Sequence, residues 1–76
     1  MIRELDTVVL AHDIEEHRLE QGDVGAVVHH YSDGAAFEVE FVTAEGRTVA
    51  LLTLTEADIR PMDGREILHV REFAPA

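Results

Sequence analysis

The most constraining feature of the sequence is a strict alternation of apolar and acidic residues over 37–41, where the order is Phe-Glu-Val-Glu-Phe. Successive side chains of a strand point to opposite faces, so the pattern predicts a strand with Phe37, Val39 and Phe41 facing inward. Short apolar runs of similar length precede and follow this segment, and turn residues separate them. Short strands at such spacing are typical of a small barrel or sandwich, and we therefore expect an all-β fold.

Five or six short strands are expected, because turn signals recur every ~8 to 12 residues. They cover the segments 5–10, 24–31, 37–42, 48–54, 59–62 and 66–73. Gly25 lies inside the second strand and indicates a bulge or a close approach of another backbone. Residues 55–58 form a helix-capping pattern, but Pro61 limits any helix near 55–60 to one short 3₁₀ or helical turn. The segment 48–54 is apolar enough to be covered on both faces.

The chain of 76 residues is predicted to be a single domain, with a barrel over about 4–62 and an additional strand over about 66–73. It has no Cys, which excludes disulfides and thiolate zinc sites. No apolar run approaches the ~18 residues of a membrane span, and the pattern of a signal peptide is absent. We therefore expect a soluble, cytoplasmic protein. A long polar loop over 11–21, followed by three hairpin-linked strands and a short strand, suits a partly open SH3-like barrel.

The net charge of −10 limits the classes of partner. Sixteen acidic residues are opposed by six Arg and no Lys, and the Arg residues are scattered rather than grouped in a basic stripe. Binding to nucleic acids or to anionic membranes is therefore not expected. A basic protein is electrostatically the easiest partner for such a chain, although a high net charge also serves solubility alone.

The motifs at 5–10, 19–31, 31–34, 37–41 and 46–48 occur in an order that resembles DUF4926, a bacterial family of uncharacterised small proteins, over roughly residues 4–62. The resemblance implies an SH3-like β-barrel and carries no assigned activity. Small bacterial proteins of this kind are often encoded beside toxin or effector genes, so the resemblance also implies an antitoxin-like or immunity-like role. The tail after Met62 goes beyond the family pattern.

The segment 18–28 is also similar to the barrel strand of KOW-type domains and of nitrile hydratase small-subunit-like barrels. The shared residues Gly22, Gly25 and Val27 are those that any such barrel needs at a turn and a tight strand, so this likeness concerns the fold. KOW-type domains often contact RNA, but the acidic charge argues against that function here.

Two surfaces are candidates for contact with a protein partner. The first is the acidic loop, through Asp13, Glu15, Glu16 and Glu20. The second is the predicted C-terminal strand, through Ile67, Leu68, Val70 and Phe73. This strand covers an edge of its own barrel or pairs with another chain, either in a homodimer or with a different protein. We expect an interaction module in which the loop meets a basic surface and the apolar residues anchor it.

The alternative is a metal-binding or enzyme-accessory barrel that uses the loop over residues 12–20. His12 and His17 lie among its acidic residues and are weak candidates for metal ligands, because their spacing matches no defined zinc motif. His29 and His30 are adjacent in a strand, so their side chains should point to opposite faces and not share a metal ion. No cofactor, catalytic residue or enzymatic activity is expected, since so small a barrel offers little room for a deep cleft.

Overall fold

The computed structural model describes residues 2–32 and 35–73 and has the architecture of a partly open SH3-like barrel. Its strands are β1 (Thr7–Leu10), β2 (Val24–His30), β3 (Phe37–Val42), β4 (Thr48–Leu54) and β5 (Ile59–Pro61). They form one open antiparallel sheet in the order β4-β3-β2-β1-β5. The all-β prediction is therefore confirmed. Asp33 and Gly34, in a predicted turn, and the tail 74–76, predicted to be frayed, lie outside the described residues.

The strand β3, which lies between β4 and β2, follows the predicted alternation. Phe37, Val39 and Phe41 are buried, whereas Glu38 and Glu40 lie on the other face and are half-buried. The Glu38 carboxylate accepts hydrogen bonds from the hydroxyls of Tyr31 and Thr53, and Thr48 donates one to Glu40. The acidic residues of β3 are therefore engaged with hydroxyl groups on the outer face of the sheet.

The core consists of apolar side chains from every strand, from the first residues and from the long loop. Its members are Ile2, Val8, Leu10, Leu19, Val27, Phe37, Val39, Phe41, Ala50, Leu54 and Ile59. The strand β5 completes the enclosure by pairing with β1, where Leu10 lies opposite Ile59. This confirms the predicted short closing strand.

Gly25 marks a close approach between β2 and β3, as predicted. A Cβ atom at this position would lie 2.8 Å from Val39 Cγ1 and 2.9 Å from Phe41 Cε1. Such distances are far below van der Waals contact, so only glycine fits without a shift of its neighbours. A bulge also occurs in β2, but between Val27 and His29 rather than at the glycine.

The strand predicted over residues 66–73 does not form. Arg60 and Glu66 make a bidentate salt bridge with distances of 2.9 and 2.6 Å, and the Glu66 N–H donates to Asp63 O, so the chain turns after β5. This salt bridge and the Asp63 N–H hold the pKa of Glu66 down at about 2. The C-terminal segment, residues 67–73, then runs without regular secondary structure.

Two further details differ from the sequence-based expectation. The 3₁₀ helix is Glu15–His17, in the long loop, whereas residues 55–58 form a hydrogen-bonded turn. β4 is not covered on both faces, because its central residue Leu51 is 52% exposed. No helix among the described residues is long and apolar enough to cross a membrane.

Candidate partner-binding surface

The acidic loop between β1 and β2 holds the first half of the predicted partner surface. Ile14 and Leu19 close it by an isolated β-bridge, and Arg18 ends the 3₁₀ helix in the left-handed region with a φ of 60°. Glu15 and Glu16 lie on this helix and are exposed. Neither carboxylate forms a hydrogen bond or an ion pair with another described residue. Both charges are therefore available to a partner.

The other two acidic residues of the predicted surface are used within the loop. The Asp13 carboxylate accepts a hydrogen bond of 2.8 Å from the N–H of Gln21, which joins the two ends of the loop. Glu20 Oε1 lies 3.7 Å from Arg71 Nε, so its charge is partly neutralised. Asp13 and Glu20 thus shape the surface, whereas Glu15 and Glu16 present its charge.

Arg71 attaches the C-terminal segment to this loop. Its Nε and Nη2 atoms lie 2.8 and 2.6 Å from the two carboxylate oxygens of Asp23, and Nη2 also donates to the carbonyl oxygen of Arg18 at 3.0 Å. Partial burial raises the pKa of Asp23, but hydrogen bonds from Arg71 and from the Glu20 N–H outweigh it and leave the pKa below its ordinary value. The segment is therefore held by charge-assisted hydrogen bonds rather than by strand pairing.

The second half of the predicted surface lies next to Arg71. Ile67, Leu68 and Val70 are 92%, 67% and 87% exposed, whereas Phe73 is half-buried with its ring 6.0 Å from the Arg71 guanidinium carbon. Three apolar side chains in water within four residues form a surface that favours contact with another molecule. Of these residues, Val70 and Phe73 line a common groove with Leu19 and Asp23 of the acidic loop.

A groove of about 720 Å³ separates the C-terminal segment from the β3–β4 hairpin. Its walls include Phe41, Val49, Val70 and Phe73, together with the charged Arg47. His69, predicted to lie in a strand, is part of this lining. A smaller groove of about 350 Å³ runs along the acidic loop between Glu15 and Arg71.

Asp23 and Arg71 are functional candidates that only the structure reveals. In the sequence, Asp23 belongs to a Gly-Asp pair that indicates a turn. Arg71 is one of six Arg residues scattered along the chain. The sequence signal for this contact is the scarcity of cations. Since acidic residues far outnumber the six Arg, an Arg in the apolar C-terminal segment is expected to form an ion pair with the acidic loop. The sequence does not show which carboxylate pairs with Arg71, because Asp23 lies 48 residues away from it.

His12 and His17, the weak candidates for metal ligands, take different places. His12 Nε2 lies 2.7 Å from Asp58 Oδ1, and its Nδ1 lies 2.9 Å from the carbonyl oxygen of Asp13. The contact with Asp58, followed by that with Asp13 O, raises the pKa of His12. His17 is exposed at the end of the 3₁₀ helix. Within the described residues, no group of three or more His, Cys, Asp or Glu is arranged to hold a metal ion.

The two adjacent histidines of β2 occupy separate environments. His29 is exposed, packs edge-on against the Tyr31 ring at 4.7 Å and has its Nδ1 3.4 Å from Glu4 Oε2. His30 stacks on Phe37 at 4.6 Å. They do not form a common site, in keeping with their positions in a strand.

Comparison with known proteins identifies a family but no relative of established activity. Neither the curated proteins nor the solved structures include a significant match to this chain. A family model described as "Domain of unknown function (DUF4926)" matches residues 4–61, which comprise all five strands and the acidic loop. The chain therefore belongs to the DUF4926 family.

Proposed function

We propose that this protein is a small acidic interaction module that binds and masks a basic protein partner. The observation that carries the proposal is the attachment of the C-terminal segment to the acidic loop by the Arg71–Asp23 ion pair. This contact attaches the apolar C-terminal segment to the loop that carries the unpaired carboxylates. Such a combination suits a protein interface, where charge guides encounter and apolar residues supply affinity.

The electrostatic part of the interface is centred on Glu15 and Glu16. Their carboxylates are exposed and belong to a chain with a net charge of −10. A basic partner would therefore be attracted from beyond contact distance, and the attraction would weaken as salt shortens the Debye length. Asp13 and Glu20 would lie at the border of the contact.

The apolar part consists of Ile67, Leu68 and Val70, with Phe73 at its inner end. Burying these side chains against a partner would remove them from water and offset the cost of association. The partner class that fits best is a basic toxin or effector protein, so the role is antitoxin-like or immunity-like, non-enzymatic and exerted in the cytoplasm. Steric cover of the partner's basic surface would be the mechanism.

The experiment is affinity capture with the tagged protein from a lysate of its source, analysed by mass spectrometry in low and high salt. We expect one stoichiometric basic partner that dissociates at high salt. Glu15→Lys and Glu16→Lys should each reduce its recovery at low salt. Glu4→Lys is the matched control, because it makes the same charge change at another exposed position and should retain the partner.

A second pair of variants tests the apolar anchor. Ile67→Ser and Val70→Ser should lose the partner at both salt concentrations, whereas Leu5→Ser, at an apolar residue that is 85% exposed elsewhere, should keep it. Capture that is equally strong with Glu15→Lys and Glu4→Lys, or no basic partner at either salt concentration, contradicts the proposed function.

A further inference from the structure

The C-terminal segment is attached to the barrel through two of its seven residues. Within residues 67–73, only Arg71 and Phe73 are half-buried, and the others are exposed. Among the described residues, no backbone group of this segment forms a hydrogen bond with a residue before 67. The segment also lies outside residues 4–61, which the family model matches. Its position therefore depends on two side chains that bind to the family domain.

The first of these side chains, Arg71, occupies a site that fits a guanidinium group. Both carboxylate oxygens of Asp23 and the carbonyl oxygen of Arg18 accept hydrogen bonds from it, and Glu20 Oε1 lies 3.7 Å from its Nε. This set of acceptors, which we call the guanidinium site, matches the planar fork of an Arg side chain. A Lys ammonium group has no such fork and cannot form the two parallel hydrogen bonds to Asp23.

The guanidinium site is held in place by the barrel and not by the C-terminal segment. The carbonyl oxygen of Asp23 accepts a hydrogen bond of 2.8 Å from the N–H of Leu10 in β1, and the N–H of Gly22 donates one of 2.9 Å to Leu10 O. The Asp23 carboxylate also accepts a hydrogen bond from the Glu20 N–H. Since none of these bonds involves residues 67–73, the site would keep its shape if the segment left it.

The second side chain, Phe73, lies at the groove next to the guanidinium site. It lines the groove of about 720 Å³ together with Phe41 and Val49. Its ring lies 6.0 Å from the guanidinium carbon of Arg71. The two residues are separated by one position, the spacing at which side chains of an extended chain share one side. The sequence Arg-Glu-Phe thus brings a cation to the carboxylates and an aromatic ring to apolar residues.

We propose that the C-terminal segment is an autoinhibitory strap on a peptide-binding site, and that the site accepts a segment with an Arg two residues before an aromatic residue. The chemistry of this ligand follows from the complementarity between the site and Arg71 and Phe73, which act as an internal ligand. The inference goes beyond the proposed function. The basic partner would contact the exposed side of the strap, whereas this ligand would replace the strap.

The attachment of the strap is weak enough for a free peptide to compete with it. A segment on a short tether has an effective concentration in the millimolar range at its own site. Its main contact is one partly exposed ion pair, a class of contact that stabilises only modestly. A peptide with the same two side chains should therefore displace the strap at millimolar concentration and occupy the guanidinium site.

The test is an NMR titration of the full chain with a synthetic peptide of residues 66–73, blocked at both ends, while the amide signals of residues 18–24 are followed. The variant Arg71→Met leaves the guanidinium site empty and should bind the peptide with a Kd of about 1 mM. The wild type should bind about 10-fold more weakly, because its own Arg71 competes. Equal Kd values for the two proteins, or no change in these signals at about 5 mM peptide, overturn the proposal.

Altered peptides test the chemistry of the site. In the Arg71→Met protein, a peptide that carries Arg71→Lys should bind at least about 5-fold more weakly, since Lys lacks the planar fork. A peptide that carries Phe73→Ser should also bind more weakly, because the ring no longer reaches the groove. Arg and Lys peptides that bind equally well overturn the proposal.

A further variant tests the location of the site. Asp23→Asn, added to Arg71→Met, should abolish binding of the peptide, and the NMR spectrum itself reports whether this protein is folded. Glu16→Gln in the same background removes one charge from the acidic surface and should change the Kd by less than about 2-fold. Equal effects of these two substitutions overturn the proposal. If Asp23→Asn unfolds the protein, the Lys peptide decides alone. No basic protein enters the titration, so its failure leaves the proposed function standing, and failure of the capture experiment leaves the strap standing.

Discussion

The guanidinium of Arg71 and the carboxylate of Asp23, 48 residues apart in the sequence, form a bidentate ion pair with distances of 2.8 and 2.6 Å. The side chain of Asp23 is only 14% exposed and that of Arg71 29%. The pair is thus more sheltered than a typical surface salt bridge, and its two parallel hydrogen bonds fix the orientation of both groups. It determines where the C-terminal segment lies.

Replacing Arg71 should release the C-terminal segment. In Arg71→Met, Asp23 keeps its hydrogen bond from the Glu20 N–H but loses both guanidinium contacts. We expect the free energy of unfolding to fall by about 1 kcal/mol, as for a partly exposed charge-assisted pair. In limited proteolysis, trypsin should cleave Arg71→Met after Arg65 faster than it cleaves the wild type.

Arg65→Met provides the control for the stability measurement, because Arg65 is 92% exposed and lies 3.7 Å from Asp63. Its stability, measured by urea unfolding, should stay within about 0.5 kcal/mol of the wild type. Equal stability of Arg71→Met and Arg65→Met would mean that the ion pair does not hold the segment.

Reversal of the loop charges should act mainly on the rate of association with the partner. We expect the combined Glu15→Lys, Glu16→Lys and Glu20→Lys variant to associate at least about 10-fold more slowly at low salt, because electrostatic steering is lost. Surface plasmon resonance with the captured partner measures this rate. The effect should largely disappear at high salt. An unchanged association rate at low salt would contradict the proposed role of the loop.

The contact between His12 and Asp58 should make stability depend on pH. The Asp58 hydrogen bond, followed by Asp13 O, raises the pKa of His12 above its usual 6.5, so its contribution is complete below that pH and is lost as pH rises through the folded value. Hydrogen bonds from the Thr55 N–H and from His12 lower the pKa of Asp58 below 3.8, so its contribution is lost as pH falls through the folded value. The pair therefore contributes fully between about pH 3.8 and 6.5.

The measurement is urea unfolding of the wild type and His12→Gln at about pH 6 and pH 8.5. The difference in stability between the two proteins should shrink at the higher pH. His17→Gln is the control, because it changes a histidine that forms no ion pair with another described residue. A difference for His12→Gln that is constant with pH would show that its protonation is not linked to folding.

Much of the fold could be predicted because it depends on short-range patterns. The alternation at Phe37–Phe41 determines which face of β3 is buried, and Gly25 marks the close approach within the barrel. The C-terminal segment could not be predicted in this way. Its apolar residues satisfy the composition of a strand, but a strand also needs a neighbour with free backbone groups. The Arg60–Glu66 salt bridge helps to turn the chain away after β5.

For the candidate surface, the sequence predicted which types of residue take part but not which contacts they form. Glu15 and Glu16 were predicted together with Asp13 and Glu20, and the sequence did not show which of the four carboxylates stay unpaired, since His17 and Arg18 follow directly after Glu16. That Glu20 lies near a cation, and that Ile67 and Val70 remain exposed, follows from the ion pair of Arg71 with Asp23. Such long-range pairing leaves no periodic signal in a single sequence.

Gly25 provides the most direct test of the packing between β2 and β3. In Gly25→Ala the new methyl group would lie within 3 Å of Val39 and Phe41 and 3.1 Å from the carbonyl oxygen of Glu40. The backbone oxygen cannot move without disturbing the β2–β3 ladder, so the strain cannot be relieved by side chains alone. We expect a loss of about 2 to 3 kcal/mol in the free energy of unfolding, the range typical of an overpacked core.

Gly64→Ala is the matched control, because its Cβ would have no neighbour within 4 Å and its stability should change by less than about 0.5 kcal/mol. Urea unfolding of both variants measures the difference, and equal stability would show that β2 and β3 are farther apart in solution.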